Sequence, residues 1–229
     1  MSLEVGTKDC TSLSDAELAD MADLCVEREP QFDIGFLSKQ CEEWVLVTQV
    51  REGNKLRGYS FCTLERIGGT PSLLIGVATV DHTAKADQTL RLLMGDQYRR
   101  AVLAFPDEDV LVGARMATPH AFQAFAGLTD LVPRPDHKAS GEERAWGRRL
   151  AKRFGAEGRI DDRTFVLAGD GSPTGALDFG GPKVKDPDPH VGNLFVDVDV
   201  ARGDRLVAFA WAMAEDLASG NLSSGKAAR

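Results

Sequence analysis

The sequence predicts an α/β fold in which an antiparallel meander of three strands leads into a parallel β-α-β step. Three observations predict this class. Strand-like segments are joined by short turns at 52–55 and 68–71. A long helical pattern follows over Ala86–Ala104, and a short apolar segment, Val110–Met116, comes directly after it. A helix between two strands makes a parallel crossover the expected connection.

The chain length and composition are those of one globular domain, alone or with an appended subdomain. The chain has 229 residues and a formal net charge of −8, which disfavours nucleic acid and anionic membrane surfaces as partners. The first residues lack the basic and apolar regions of a secretory signal, and no apolar stretch approaches the roughly 20 residues of a membrane span. We therefore expect a cytoplasmic protein. Without a C-x-x-C pair, we expect reduced, mostly buried thiols and no metal site. The cysteines are Cys10, Cys25, Cys41 and Cys62.

Two helices are predicted before the sheet. Ser14 is a candidate N-cap, and Glu17, three residues later, completes a capping box. Pro30 marks the end of that helix. A second, shorter helix is predicted over Phe32–Lys39.

The meander itself is predicted at Trp44–Val50, Arg57–Ile67 and Ser72–Val80. The helix over Ala86–Ala104 then presents an apolar face to this sheet. Val110–Met116 is expected to pair parallel to the third strand of the meander.

Beyond the parallel step, Thr118 and Pro119 predict the start of another helix, with threonine as the cap. A helix is predicted over Gly141–Phe154 and a strand over Arg163–Ala168.

The last third of the chain has weaker patterns. We expect a long loop over Gly169–Pro189 and a half-buried strand over Leu194–Val200. Asp204 is a candidate cap for a final helix over Arg205–Ala218, closed by Gly220. The expected organisation is a main domain, an extension packed on it and a mobile tail, with the bounds 1–168, 169–220 and 221–229.

This order of elements resembles the acyl-CoA N-acyltransferase superfamily (GNAT). The resemblance covers roughly residues 11–168. It depends on the strand-turn-helix unit from Val77 through Leu93 and on the stretch from Ala114 to Pro119. It implies a mixed sheet flanked by helices, in which the strands Ser72–Val80 and Val110–Met116 splay apart.

The resemblance also implies a cofactor site at the start of the long helix. Members of the superfamily carry Gln/Arg-x-x-Gly-x-Gly/Ala there, where backbone N–H groups and the helix N-terminus meet the coenzyme A pyrophosphate. In this chain Lys85 takes the first position, and Gln88 and Leu90 replace the glycines. The implied cosubstrate is acetyl-CoA or another acyl-CoA, with no metal. The implied cofactor-binding residues are Val80, Lys85, Gln88, Thr89 and Leu90.

The groups that would transfer protons match the superfamily's pattern less well. The superfamily's acid, a tyrosine, corresponds to Phe125, and the chain has only Tyr59 and Tyr98. Candidate bases are Glu65, on the second strand of the meander, and Asp81, after the third. The alternatives are an ordinary surface charge for Glu65 and a turn-capping role for Asp81.

A basic segment lies in the helix predicted over Gly141–Phe154. It either holds the 3′-phosphate of coenzyme A or an acidic partner, or is a solvated helix face. Its residues are Arg144, Arg148, Arg149, Lys152 and Arg153.

Two functions follow from these patterns. The first is an N-acyltransferase that moves an acetyl or short acyl group from an acyl-CoA to the amine of a small molecule or protein. The second is a non-catalytic acyltransferase-like protein that binds a partner or another ligand. The sequence leaves open whether the chain forms a homo-oligomer.

Overall fold

The computed structural model describes residues 2–25, 32–180 and 187–224. They form a mixed α/β structure in which helices flank one sheet with both antiparallel and parallel pairs. The predicted fold class is therefore confirmed.

The sheet has nine strands in the described part of the chain. They are β1 Leu3–Asp9, β2 Leu46–Glu52, β3 Lys55–Ile67, β4 Thr70–Val80, β5 Val110–Met116, β6 Thr129–Val132, β7 Val166–Leu167, β8 Leu177–Asp178 and β9 Arg205–Ala212.

The helices are mostly short. They are α1 Asp15–Asp23, α2 Ile34–Glu43, α3 Ala86–Ala104, α4 Gly141–Arg153, α5 Pro189–Gly192, α6 Ala214–Ser219 and α7 Asn221–Ser224. Three turns of 3₁₀ helix cover Cys10–Ser12, Pro119–Phe125 and Asn193–Phe195.

The strand order is β1-β2-β3-β4-β8-β5-β9-β6, and β7 pairs with β9 outside this path. Strands β1 to β4 are antiparallel neighbours. The crossover through α3 then places β5 parallel to β4. Strand β9 returns antiparallel to β5, so the predicted meander and parallel step are both present.

Helices cover both faces of the meander. Successive side chains of a strand point to opposite faces, and the neighbours Tyr59 and Ser60 of β3 show this. The Ser60 hydroxyl accepts a hydrogen bond from Gln97 of α3 at 2.6 Å. The Tyr59 hydroxyl lies 3.2 Å from the thiol of Cys25, just after α1. Helices α1 and α3 therefore lie on opposite faces of the sheet.

Several local predictions are confirmed. Helix α3 and strand β5 have the predicted bounds. The Ser14–Glu17 capping box is formed, with the Glu17 backbone N–H donating to Ser14 Oγ at 3.3 Å. Helix α1 ends at Asp23, seven residues before the predicted end at Pro30, which itself lies outside the described residues. Cys10, Cys25 and Cys62 are buried free thiols, and Cys41 is partly exposed.

The predicted final helix over Arg205–Ala218 is wrong for most of its length. Residues Arg205–Ala212 form strand β9, and only Ala214–Ser219 is helical before the left-handed Gly220. Strand β9 is buried and paired on both sides, so from Leu206 to Ala212 its side chains are apolar on both faces and lack the alternation of a half-buried strand. A continuous apolar run of this kind is not distinguishable from a buried helix by periodicity.

Other local predictions also need correction. The segment Leu194–Val200 is a 3₁₀ turn followed by turns, not a strand. The predicted loop over Gly169–Pro189 contains β8. Strand β1 was not predicted. The segment after Thr118 is a 3₁₀ helix, and the Thr118 side chain makes no capping hydrogen bond.

Candidate functional site

Strands β4 and β5 separate toward their carboxyl ends. They pair directly only where Ser72–Ile75 of β4 faces Leu111–Ala114 of β5. Further along, both strands pair with β8 instead. The splaying that the resemblance implied is therefore present, and the gap between the strands contains a segment of the same chain.

The segment in the gap is held by backbone hydrogen bonds to both strands. The Ala78 N–H of β4 donates to the Ala176 carbonyl at 3.1 Å, and the Ala117 N–H after β5 donates to the Leu177 carbonyl at 3.2 Å. Residues 175–179 are buried. A Cβ on Gly175 would come within 2.9 Å of the Gly76 carbonyl, so glycine permits this close approach. The carboxyl ends of these parallel strands, where open α/β sheets bind ligands, are thus filled.

Asp81 and Lys85 in the turn between β4 and α3 form a cluster of charged side chains with Glu52 of β2 and Arg57 of β3. The Glu52 carboxylate accepts from Lys85 and, at 2.5 Å, from Arg57. Arg57 also donates to the Asp81 carboxylate at 2.6 Å. Lys85, followed by Arg57, lowers the pKa of Glu52 to about 2. The charges of Lys85 and Asp81 are therefore compensated within the protein.

The predicted cofactor-binding residues divide into two groups. Val80, Thr89 and Leu90 are buried, and a Cβ on Gly58 would meet the Thr89 methyl group at 2.7 Å. Their side chains pack in the interior and offer no contact to a ligand in solvent. Gln88 is exposed, and the Lys85 side chain is 40% exposed. Only this second group is at the surface of the turn.

The two candidate bases are not brought together. Asp81 follows Val80, which pairs with Gly58, whereas Glu65 pairs with Ser72 near the other end of the hairpin. Seven residues of strand between Gly58 and Glu65 span roughly 23 Å. The Glu65 carboxylate accepts from Arg153 Nε at 2.6 Å.

The tyrosines do not replace the missing acid. Phe125 is buried. The Tyr98 hydroxyl donates to the Ala124 carbonyl at 3.1 Å, and burial raises its pKa far above the ordinary value. Tyr59 is buried beside the Cys25 thiol.

The basic residues of α4 mostly have partners within the protein. Arg148 pairs with Asp162, and Lys152 Nζ lies 3.2 Å from the Glu157 carboxylate. Arg153 pairs with Glu65, and the Arg149 guanidinium lies 4.7 Å from the centre of the Trp146 ring. These contacts favour the interpretation of this segment as a solvated helix face.

A cavity of about 500 Å³ is lined in part by the residues that lead into β8, up to Gly175. Its walls come from α2, from the end of α4 and from the loop 167–175. Arg115, near the end of β5, contributes to its lining and is only 6% exposed. Arg115 was not predicted as a site residue, although a charged side chain within the apolar strand VLVGARM was a usable signal.

Comparison with known proteins gives only distant structural similarities. No protein-family profile and no curated protein matches the chain. Escherichia coli ElaA is 17% identical, with 61% of this chain and 95% of that chain covered and a TM-score of 0.37. An aminoglycoside acetyltransferase, meta-AAC0020 from an uncultured soil metagenomic sample, is 15% identical, with 48% and 76% covered and a TM-score of 0.36. TTHA1254 from Thermus thermophilus is 13% identical, with 49% and 75% covered and a TM-score of 0.33.

At these identities and TM-scores the similarities carry no argument about the fold, the activity or the site. The fold class rests on the sheet topology itself.

Residues 2–25, 32–180 and 187–224 contain neither a spanning helix nor a metal cluster. None of the helices there is both long and apolar enough to cross a membrane. No group of three or more His, Cys, Asp or Glu side chains there is placed to hold a metal ion.

Proposed function

We propose that this chain is an acyltransferase-like binding protein that does not transfer acyl groups. The observation that carries the proposal is the position of β8 between β4 and β5. An acyl-CoA extending from the start of α3 into this gap would have to displace residues 175–179 and their hydrogen bonds to both strands. Each buried backbone group left without a partner would cost about 1–3 kcal/mol.

The turn before α3 supports the same proposal. Lys85 is engaged by Glu52, so a phosphate would have to compete with a carboxylate already in contact. Leu90 is buried at a position where the superfamily has a small residue. Together these features reduce the capacity of the turn for a pyrophosphate.

The second candidate function is N-acyl transfer from acetyl-CoA or another short acyl-CoA to an amine. It is favoured by the start of α3 directly behind β4, because a helix N-terminus attracts anions. The amine would attack the thioester carbonyl, the bond to sulfur would break, and a carboxylate would accept the ammonium proton. Asp81 is nearer than Glu65 to the start of α3, since it lies in the turn itself.

Calorimetric titration with acetyl-CoA separates the two functions. We expect no heat of binding up to millimolar cofactor and no release of free thiol when amines are added. Saturable binding together with thiol release on addition of an amine would overturn the proposal in favour of acyl transfer.

Lys85→Ala tests the turn directly. We expect the variant to give the same result as the parent in the acetyl-CoA titration, because Lys85 already contacts Glu52. If the turn holds a pyrophosphate, the substitution should instead weaken cofactor binding by about 1–3 kcal/mol, the range for a hydrogen bond to a charged group. Lys138→Ala, which removes an exposed lysine elsewhere, is the matched control.

A further inference from the structure

Arg115 differs from the other deeply buried arginine of the sheet. Arg205 is 1% exposed, and its guanidinium donates to the carbonyls of Val200, Asp204 and Thr174. These bonds explain why its charge is tolerated in the interior. The Nε of each arginine has no hydrogen-bond acceptor among the described residues. Arg205 donates through its other guanidinium nitrogens, whereas Arg115, only 6% exposed, makes no side-chain hydrogen bond to any described residue.

The surroundings of Arg115 support its charge only indirectly. Its guanidinium carbon lies 4.8 Å from the centre of the Phe154 ring, a cation–π contact. Burial lowers its pKa to about 10, and Glu43 is the opposite charge that acts on it through space. The group therefore stays protonated at neutral pH. A buried, protonated guanidinium with open donors requires an acceptor.

The cavity beside Arg115 offers space for such an acceptor. Phe36 and Phe154 give it apolar surfaces. Its acidic lining residues have partners or lie at the surface. Asp33 accepts from the Phe36 N–H at 2.7 Å, Asp170 accepts from Arg159 at 2.7 Å, and Glu43 is exposed. Arg115 is thus the buried cation of the cavity, and a volume of about 500 Å³ is within the range of small-molecule sites.

We propose that this cavity binds a small organic monocarboxylate, with the carboxylate on the Arg115 guanidinium and the apolar body of the ligand against Phe36 and Phe154. A planar guanidinium matches a carboxylate through two parallel hydrogen bonds. One buried cation balances one negative charge. A phosphate dianion would bring a second negative charge for which the described lining offers no second buried cation, since Lys39 and Arg159 are exposed at the rim beside Glu43 and Asp170. The inference rests on the proposed function, for which it names the ligand class.

The test compares charged and neutral ligands of the same shape on the parent protein. Benzoate and hexanoate, as probes, are titrated by calorimetry beside benzamide, hexanamide and inorganic phosphate. We expect the carboxylates to bind at least ten-fold more tightly than their amides, and phosphate to bind weakly or not at all. Equal affinity for carboxylate and amide, or absence of carboxylate binding at millimolar concentration, would overturn the inference. So would preferential binding of phosphate.

Variants assign the effect to Arg115. Arg115→Met is expected to lower carboxylate affinity ten- to hundred-fold, the equivalent of a lost charge-assisted pair. Arg91→Gln, which removes an exposed arginine of α3 that does not line the cavity, is the control and should change carboxylate affinity less than three-fold. If Arg115→Met does not fold, Arg115→Lys, which keeps the charge and loses the planar fork, should still weaken binding. Unchanged affinity in the folded Arg115 variant would be decisive against the site.

The two proposals fail separately. Binding of acetyl-CoA with acylation of an amine overturns the proposed function, whatever the carboxylate titrations give. Absence of carboxylate binding in a protein that also ignores acetyl-CoA overturns only the ligand class.

Discussion

Asp204→Ala is expected to lower the free energy of unfolding by about 3 kcal/mol. The Asp204 side chain is fully buried and accepts from the Gly169 N–H at 2.8 Å, the Asp199 N–H at 3.3 Å and Arg202 Nε at 2.9 Å. The substitution leaves the two backbone donors without their acceptor, at about 1–3 kcal/mol each. Urea unfolding followed by circular dichroism measures the loss.

Asp197→Ala is the matched control, because Asp197 is an exposed aspartate only a few residues before Asp204. It should change the free energy of unfolding by no more than about 0.5 kcal/mol. If the two variants have equal midpoints, the hydrogen bonds of Asp204 do not stabilise the fold.

The lowered pKa of Asp204 also predicts that stability depends on pH. Arg202 lowers the pKa of Asp204 from 3.8 to about 2. Because the pKa is lower in the folded state, this contribution is present above pH 3.8 and is lost as the pH falls toward 2. The stability difference between the parent and Asp204→Asn should therefore shrink across that interval. A difference that stays constant between pH 5 and pH 2 would contradict the assignment.

Gly76→Ala is expected to be the second strongly destabilising substitution, at about 2–4 kcal/mol. Gly76 forms a β-bulge in β4: its neighbours Ile75 and Val77 pair with β3, and Gly76 between them does not. A Cβ there would lie 1.9 Å from the indole ring of Trp44, which is 4% exposed. The ring cannot yield without losing its hydrogen bond to Gln40, 3.1 Å from Nε1.

Gly6→Ala provides the comparison for this effect. Gly6 also lies in a strand, β1, but a Cβ there meets nothing within 4 Å. The control should keep the parent's unfolding midpoint, while Gly76→Ala lowers it and shifts the tryptophan emission as Trp44 is exposed. Similar midpoints for both glycine variants would show that the indole contact does not matter.

Local signals in the sequence predicted much of the first two thirds of the fold. The helical period over Ala86–Ala104 and the capping box at Ser14 depend on neighbours within a few residues. Strand β8 depends on two distant strands. A segment as short as Leu177–Asp178 has no periodicity to recognise, and its stabilisation comes from β4 and β5.

The candidate site was predicted less well for a related reason. The turn with Asp81 and Lys85 was located correctly, but the partners Arg57 and Glu52 approach it from another hairpin. Arg115 stood out only as a charge in an apolar strand. Its interpretation as a ligand-binding residue depends on a cavity whose walls come from three separate segments of the chain.

The position of β9 in the strand order also affects how the chain folds. Residues Arg205–Ala212 pair with both β5 and β6, which precede them by a long stretch of chain. Contacts between such distant segments slow folding, because the intervening chain must be ordered before they form. Until β9 arrives, the apolar edge of β5 has no strand on that side, and unpaired edges of this kind promote aggregation. A nascent chain that has not yet produced Arg205 should therefore depend on chaperones, and full-length protein should refold more slowly than its size suggests.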